Sequence, residues 1–324
     1  MRNTLQCGEA SLPAVEAELQ VQRHESLSLT GVVQAYYEFT KPKIWYLLVF
    51  TSLTSTFLAS RILNLDVSPA KWLVIAVAII TGCAGCNALT SFHDRDIDAI
   101  MLRTRHRPLP SGRIKPRSAL VFGFGLVLAS LALSLTLNLL SFAWMLGGVL
   151  DNVVVYSLVL KRRSPLNILL GGVSGGLPVL FGWSAVTPGP IGAVSLLPIL
   201  MAGLVFVWIP IHIWFLSVSF REDYSRAGVP MLPVVVGTPT ALRIITLVSL
   251  VFLPFSLGIY LVRPGSFGLV YASIAAIGGV ATIIGSFYVL TKPTEANAWR
   301  MFKISSPYLF MLFLGMIIDV ALHG

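Results

Sequence analysis

The stretch Lys71-Trp-Leu-Val-Ile-Ala-Val-Ala-Ile-Ile-Thr-Gly-Cys-Ala-Gly-Cys-Asn-Ala-Leu-Thr-Ser-Phe-His-Asp94-Arg-Asp-Ile-Asp98 sets an apolar run directly against a cluster of charge. A membrane-crossing helix takes roughly 20 apolar residues, and this run has that length. It closes on Asn87, Thr90, His93 and three aspartates, Asp94, Asp96 and Asp98, with Arg95 among them. The segment reads as a membrane span with chemistry at one end.

The rest of the chain has the same character. Of its 324 residues 56% are hydrophobic and only 11% are charged, where a soluble domain is about a quarter charged. Such a chain cannot cover itself in water, which excludes a cytosolic enzyme, a disordered protein and a fibrous one. Apolar runs bounded by charge, Pro or Gly predict nine spans, near 44–60, 71–92, 118–138, 139–160, 165–187, 194–219, 239–262, 266–290 and 303–323. Residues 1–34 are expected as a mobile cytoplasmic tail and 35–324 as one membrane-embedded domain.

Charge fixes an orientation for these spans. The 23 Lys+Arg outnumber the 14 Asp+Glu, for a net charge of +9. With the N-terminus in the cytoplasm and the spans alternating, all the basic residues but Arg61, Lys71 and Arg263 fall inside, as the positive-inside rule requires. The surplus suits anionic lipid headgroups first and anionic ligands second; nucleic acid is not an expected partner. The cysteines are Cys7, Cys83 and Cys86, too few for a disulfide framework. Cys83 and Cys86 are expected as small residues that let a helix pack closely, with a redox or metal pair as the alternative.

At about 100° per residue, Asp98 lies roughly 40° from Asp94 on a helix, with Asn87 about 20° to the other side and Thr90 on the same stripe. Two carboxylates one turn apart repel unless a cation lies between them. The economical cations are arginine or Mg²⁺, which favours one or two carboxylates plus substrate phosphates. Arg103-Thr-Arg-His-Arg107-Pro-Leu-Pro-Ser-Gly-Arg113 follows directly, and guanidinium groups bind phosphate bidentately, so the loop suits a diphosphate. Arg221-Glu-Asp223 and Lys161-Arg-Arg163 are placed at the same membrane face. Asp151 and His212 fall deeper, where ionisable groups are costly and usually face a cavity. His212, followed by Ile213 and Trp214, suits either a hydrogen-bonded packing role or contact with a flat aromatic ligand or haem iron.

These motifs are familiar in combination. Asp94-Arg-Asp-Ile-Asp98 with Arg103-Thr-Arg-His-Arg-Pro-Leu resembles the first signature of the UbiA-type intramembrane prenyltransferases. Within that superfamily the chain is most similar to the haem-farnesylating branch, the protohaem IX farnesyltransferases. Tyr156-Ser-Leu-Val-Leu-Lys-Arg-Arg-Ser-Pro-Leu-Asn167, Gly171-Gly-Val-Ser-Gly-Gly-Leu-Pro178 and Gly182-Trp183 resemble its middle signature. Asp223-Tyr-Ser-Arg-Ala-Gly-Val-Pro-Met-Leu-Pro233, preceded by His212-Ile-Trp214, resembles its third. The likeness runs in order over about residues 35–320. Two positions depart from the pattern: Thr90 stands where the superfamily motif has asparagine, and Ala227 stands four residues past Asp223. Asn87, one turn earlier than Thr90, is the alternative for the missing asparagine.

The resemblance implies an all-α polytopic membrane protein, nine transmembrane helices around a central cavity open to the cytoplasmic face of the cell (plasma) membrane, with the C-terminus outside. It implies transfer of farnesyl from farnesyl diphosphate to a vinyl group of haem B with addition of water, giving haem O and diphosphate. Haem B is then a substrate, Mg²⁺ the cofactor, the lipid bilayer the setting and a haem A synthase a downstream partner. The implied catalytic residues are Asp94, Asp98 and Asp223, and the implied metal set is Asp94, Asp98, Asn87 and Asp223. Arg95, Arg103, Arg107, Lys161, Arg162 and Arg221 would hold the diphosphate, and His212 and Trp214 would meet the haem. Eleven residues, roughly 16 Å of helix rise, separate His212 from Asp223, and they share a face if the helix stays regular. Prenylation of a quinone precursor or a lipid headgroup is the nearest alternative, and a transporter of an anionic metabolite the remote one.

Overall fold

The computed structural model describes residues 28–189, 195–262 and 267–323, and these residues build a bundle of helices. Residues 1–27 of the expected tail and Gly324 lie outside the described residues, and the tail's last residues are helical from Leu29. Helix α1 (Leu29–Phe39) starts where the Ser28 hydroxyl accepts the Gly31 N–H. It is followed by α2 (Pro42–Ile62), α3 (Pro69–His93), the short α4 (Arg95–Ile100), α5 (Pro116–Leu137) and α6 (Leu139–Val149). Residues Leu150–Leu160 continue α6 as a π-helix, so that the Lys161 N–H reaches the Tyr156 carbonyl five residues back at 2.8 Å. Then come α7 (Asn167–Gly171), α8 (Val173–Ser184), α9 (Leu196–Ser219), α10 (Arg221–Arg226), α11 (Leu232–Val235), α12 (Thr238–Val262), α13 (Leu269–Thr291) and α14 (Glu295–His323).

Seven helices among the described residues are long and apolar enough to cross a bilayer: α3, α5, α6 with its π-helical continuation, α9, α12, α13 and α14. Two of the nine segments expected from sequence fall short, for different physical reasons. At 21 residues α2 is long enough, but Thr51, Ser52, Thr54, Ser55, Thr56 and Ser60 on its buried face are polar. Two of these hydroxyls join neighbouring helices: Ser55 donates to the Val179 carbonyl at 2.8 Å and Thr56 to that of Gly182 at 2.9 Å, both on α8. A Cβ on Gly182 would lie 2.1 Å from the Ser52 carbonyl oxygen, so only glycine permits this approach. The other segment is broken between α7 and α8 at Gly172.

The outward surface carries Leu73, Val121, Leu128, Leu247, Ile277 and Ile284, all more than half exposed. That arrangement suits a lipid surround, in which close approach and hydrogen bonds rather than apolar burial join helices. Gly85 and Gly123 let α3 and α5 pack within 2.9 Å of a virtual Cβ. The close-packing role expected of Cys83 and Cys86 thus belongs to their neighbours Gly82 and Gly85, while both cysteines line the interior cavity.

Two carboxylates inside spans are explained by helix starts, whose first N–H groups have no partner within the helix. Asp151 accepts the Ser174 N–H at 2.8 Å at the start of α8. Asp319 accepts the Tyr271 N–H at 2.8 Å at the start of α13.

Candidate functional site

A cavity of about 730 Å³ opens between α2, α3, the π-helix, α7, α8, α9 and α14, within the range typical of small-molecule sites. One end is lined by Lys41, Asn87, Thr90, Asp94, Arg103, Arg107 and Lys161, and the remainder largely by apolar and aromatic side chains such as Trp144, Phe181, Trp208, Trp299 and Phe302.

Asp94 is the centre of the charged end. It sits where α3 stops and α4 begins, and it is 1% exposed. Its Oδ2 accepts from Lys161 Nζ, and its Oδ1 is buried with no hydrogen-bond partner. A buried carboxylate oxygen left unpaired is costly, and here it lies beside a cavity. Arg103 presents the complementary case: Nη2 donates to the Tyr224 hydroxyl at 3.4 Å, the guanidinium lies 5.2 Å from the Phe220 ring centroid, and Nε is buried without an acceptor. Burial would lower Lys161, but Tyr156 and Asp94 hold it above the ordinary lysine range, so its ammonium stays charged.

Lys41 was not singled out by sequence. It stands in the left-handed region at φ 54°, directly before Pro42, a conformation that costs an L-residue roughly 1–2 kcal/mol. Burial, together with the Arg107 charge, pushes its amine down to about 7. The strained backbone at Thr40-Lys41-Pro42, whose Thr40 carbonyl accepts the Asn87 Nδ2 at 3.1 Å, is the signal that marks it.

The remaining expected residues divide. Arg107 donates through Nη1 to both oxygens of Asp98, at 3.0 and 2.9 Å, so Asp98 is closed by arginine behind the cavity wall. Burial works against its ionisation, but the charges of Lys41, Arg107 and Lys161 hold it below the usual carboxylate range. Asp223 does not line the cavity that Asp94 lines. Its carboxylate accepts the backbone N–H groups of Leu102 and Arg103 at 3.3 and 3.1 Å, and so fastens the start of the arginine loop. Arg95 folds back over Phe92, Arg162 forks onto Asp96 at 2.7 and 2.6 Å, and Arg221 donates to the Pro233 carbonyl at 2.9 Å. None of these three lines the cavity. The Arg162 hydrogen bonds take Asp96 down to about 2.

In α9, His212 lines the cavity and Trp214 does not; Trp214 is 2% exposed and packed in the core, whereas Trp208, one helical turn before His212, is at the wall. The common face expected for His212 and Asp223 is lost because α9 ends at Ser219 and Phe220 (φ −119°, ψ 32°) turns the chain into α10.

Among the described residues no three His, Cys, Asp or Glu side chains gather as a metal cluster. Mg²⁺ needs only one or two carboxylates when substrate phosphates complete its shell, and the free Asp94 Oδ1 provides one. The donor set fits a cation that arrives with a diphosphate, and does not fit a cage made of protein alone.

The UbiA prenyltransferase family profile matches residues 47–314. The chain is 43% identical to protoheme IX farnesyltransferase 2 of Cenarchaeum symbiosum, over 94% of this chain and 100% of that one. It is 45% identical to the protoheme IX farnesyltransferase of Desulforudis audaxviator, over 96% and 97% of the two chains. Among solved structures, a digeranylgeranylglyceryl phosphate synthase superposes with a TM-score of 0.72 at 21% identity, covering 90% of this chain and 99% of that one. A UbiA homolog from Archaeoglobus fulgidus bound to GPP and Mg²⁺ gives 0.60 at 16% identity, over 89% and 99%.

Proposed function

Because the chain belongs to the UbiA prenyltransferase family, we propose that it transfers farnesyl from farnesyl diphosphate to a vinyl group of haem B, with water added on the adjacent carbon, giving haem O and diphosphate. It is a membrane-embedded enzyme of the prenyltransferase class. The observation that carries the site assignment is the pair of unsatisfied groups at the charged end, Asp94 Oδ1 and Arg103 Nε, at the mouth of an otherwise apolar cavity. One is a place for a cation and the other a place for a phosphate oxygen.

Lys161, Arg103, Arg107 and Lys41 take the diphosphate oxygens. Arg107 uses Nη1 on Asp98, which leaves its other donors for phosphate. Asp94, with Asn87 and Thr90 on the same stripe of α3, would hold Mg²⁺, which neutralises charge on the leaving diphosphate. These preorganised cations favour the transition state because charge develops on the bridging oxygen as the carbon–oxygen bond lengthens. The allylic cation then forms among Trp144, Phe181 and their neighbours, where an apolar wall delays water. Asp223 acts on the same step at one remove, by holding the Leu102–Arg103 backbone. His212 and the rings beside it form the haem-facing wall.

We infer that α2 and the broken α7–α8 segment, with the seven long apolar helices, complete nine crossings. The charged end then faces the cytoplasm of the plasma membrane, and the C-terminus lies outside. A haem A synthase would consume the product. Reconstituted protein supplied with farnesyl diphosphate, haem B and Mg²⁺ should form haem O by mass spectrometry, and Asp94→Asn should fold but not turn over. Prenylation of another acceptor with haem B untouched would overturn the haem reading. Labelling of Arg105→Cys from outside intact cells would overturn the orientation.

A further inference from the structure

The His212 ring is the second of four aromatic rings stacked in sequence, and its Nδ1 meets Ser305, a buried residue behind the cavity wall. Trp208 and His212 are 4.4 Å apart between centroids at 17°, His212 and Phe302 4.3 Å at 25°, and Phe302 and Trp299 4.9 Å at 22°. Both faces of the imidazole are therefore covered, and a ligand reaches it only at an edge. One edge is taken: Nδ1 lies 2.7 Å from Ser305 Oγ. Ser305, 4% exposed and absent from the cavity wall, sends its hydroxyl to the Phe302 carbonyl at 2.7 Å.

A hydroxyl has one proton. With that proton directed at the Phe302 carbonyl, Ser305 Oγ meets His212 as an acceptor, so Nδ1 carries the ring proton. Nε2 is then left with its lone pair, on the edge opposite Ser305, in a residue that lines the cavity. A neutral imidazole held in this tautomer by a hydrogen bond on its other nitrogen is the form that binds metals. Stacking on both faces fixes the direction of the lone pair.

We propose that His212 Nε2 is the axial ligand of the haem B iron during turnover and that Ser305 is the positioning residue that sets its tautomer and aim. The assignment rests on haem being the acceptor. A ligand bond at His212 would fix the position of the iron and the plane of the porphyrin, and leave the cavity wall to choose which vinyl group meets the allylic carbon.

The test uses purified full-length protein with two probes, ferric haem B and metal-free protoporphyrin IX, titrated against wild type, Ser305→Ala, Ser305→Thr and His212→Ala. Pyrophosphate binding by each variant serves as the check of folding. Ser305→Ala should weaken haem B binding 10- to 100-fold, the usual effect of removing such a partner, and should shift the Soret band towards that of His212→Ala. Affinity for metal-free porphyrin should change by less than twofold in both variants, and Ser305→Thr, which keeps the hydroxyl, should restore the wild-type spectrum. Equal losses for the two porphyrins would make the stack a packing platform and overturn the ligand assignment alone. Unchanged haem affinity and spectrum in Ser305→Ala would overturn Ser305 as the positioning residue, and the same result in His212→Ala would overturn the ligand assignment. Wild type that binds neither porphyrin would overturn both this proposal and the haem reading beneath it.

Discussion

Replacing Lys161 by methionine tests whether the charged end is built around Asp94. The ammonium is bonded to Asp94 Oδ2, and the side chains of Lys161 and Asp94 are 17% and 2% exposed. Methionine keeps most of the stem's packing and removes the charge. The carboxylate is then left with no partner on either oxygen, because Oδ1 has none already. Breaking a buried ion pair by removing one member costs about 3–5 kcal/mol, most of it the uncompensated charge. The residual exposure of Lys161 to the cavity puts the expected loss at the lower end, about 3 kcal/mol. Asp94→Asn in the Lys161→Met background should recover most of that loss, since the pair is then removed together. Denaturant or thermal unfolding in detergent measures all four corners of the cycle. A single-variant loss under 1 kcal/mol, or no recovery in the double variant, would show that water in the cavity already solvates Asp94, and the argument from its unpaired oxygen would fail.

Three further outcomes follow from other contacts. Asp223→Asn should cost about 2 kcal/mol, the worth of hydrogen bonds to a charged acceptor. It should also speed proteolysis within residues 101–115 and raise KM for farnesyl diphosphate; an unchanged KM would count against its hold on the loop. Lys41 has its amine lowered to about 7, so between pH 7 and its unfolded value the folded chain binds fewer protons than the unfolded one, and stability rises with pH across that window. Lys41→Met should therefore stabilise the protein at pH 6 and lose that advantage as the pH approaches 10, in melts at a series of pH values; a pH-independent difference would exclude a strained ammonium. Gly182→Ala would set a Cβ 2.1 Å from the Ser52 carbonyl oxygen, and the separation of α2 from α8 should cost roughly 1–3 kcal/mol, read as a lower melting temperature.

The sequence carries the spans because a bilayer demands contiguous apolar length, and seven of nine expected segments meet that demand. The other two fall below it for reasons a single segment does not show: in α2, Ser55 and Thr56 are directed at the backbone of α8, a fact about the partner and not about α2. The acids and arginines at the site were legible as clusters, since unpaired charge at a membrane edge needs explaining. Their assignments were not, because a cluster does not say which cation closes which carboxylate. Arg107 reaches Asp98 over nine residues and Lys161 reaches Asp94 over 67, and only the folded chain decides these pairings. Nearness to His212 in sequence points to Trp214, whereas wall residues on a helix recur at three or four, which puts Trp208 beside His212 at the cavity. Lys41 looked like one more topology charge, and its signal is a backbone angle that no composition reveals.

The helix start at Val173 lies beside the cavity, and on its own would attract an anion. Asp151 already fills that position through the Ser174 N–H. A diphosphate entering the chamber therefore finds one attractive pole and not two. An amphiphile with an anionic head and a long apolar tail can lodge head-first at Arg103 and Lys161, and its reversed pose finds no free helix start to hold the head. The interior acid thus makes the chamber a polarised slot, in which the direction of substrate entry is decided before any bond is broken.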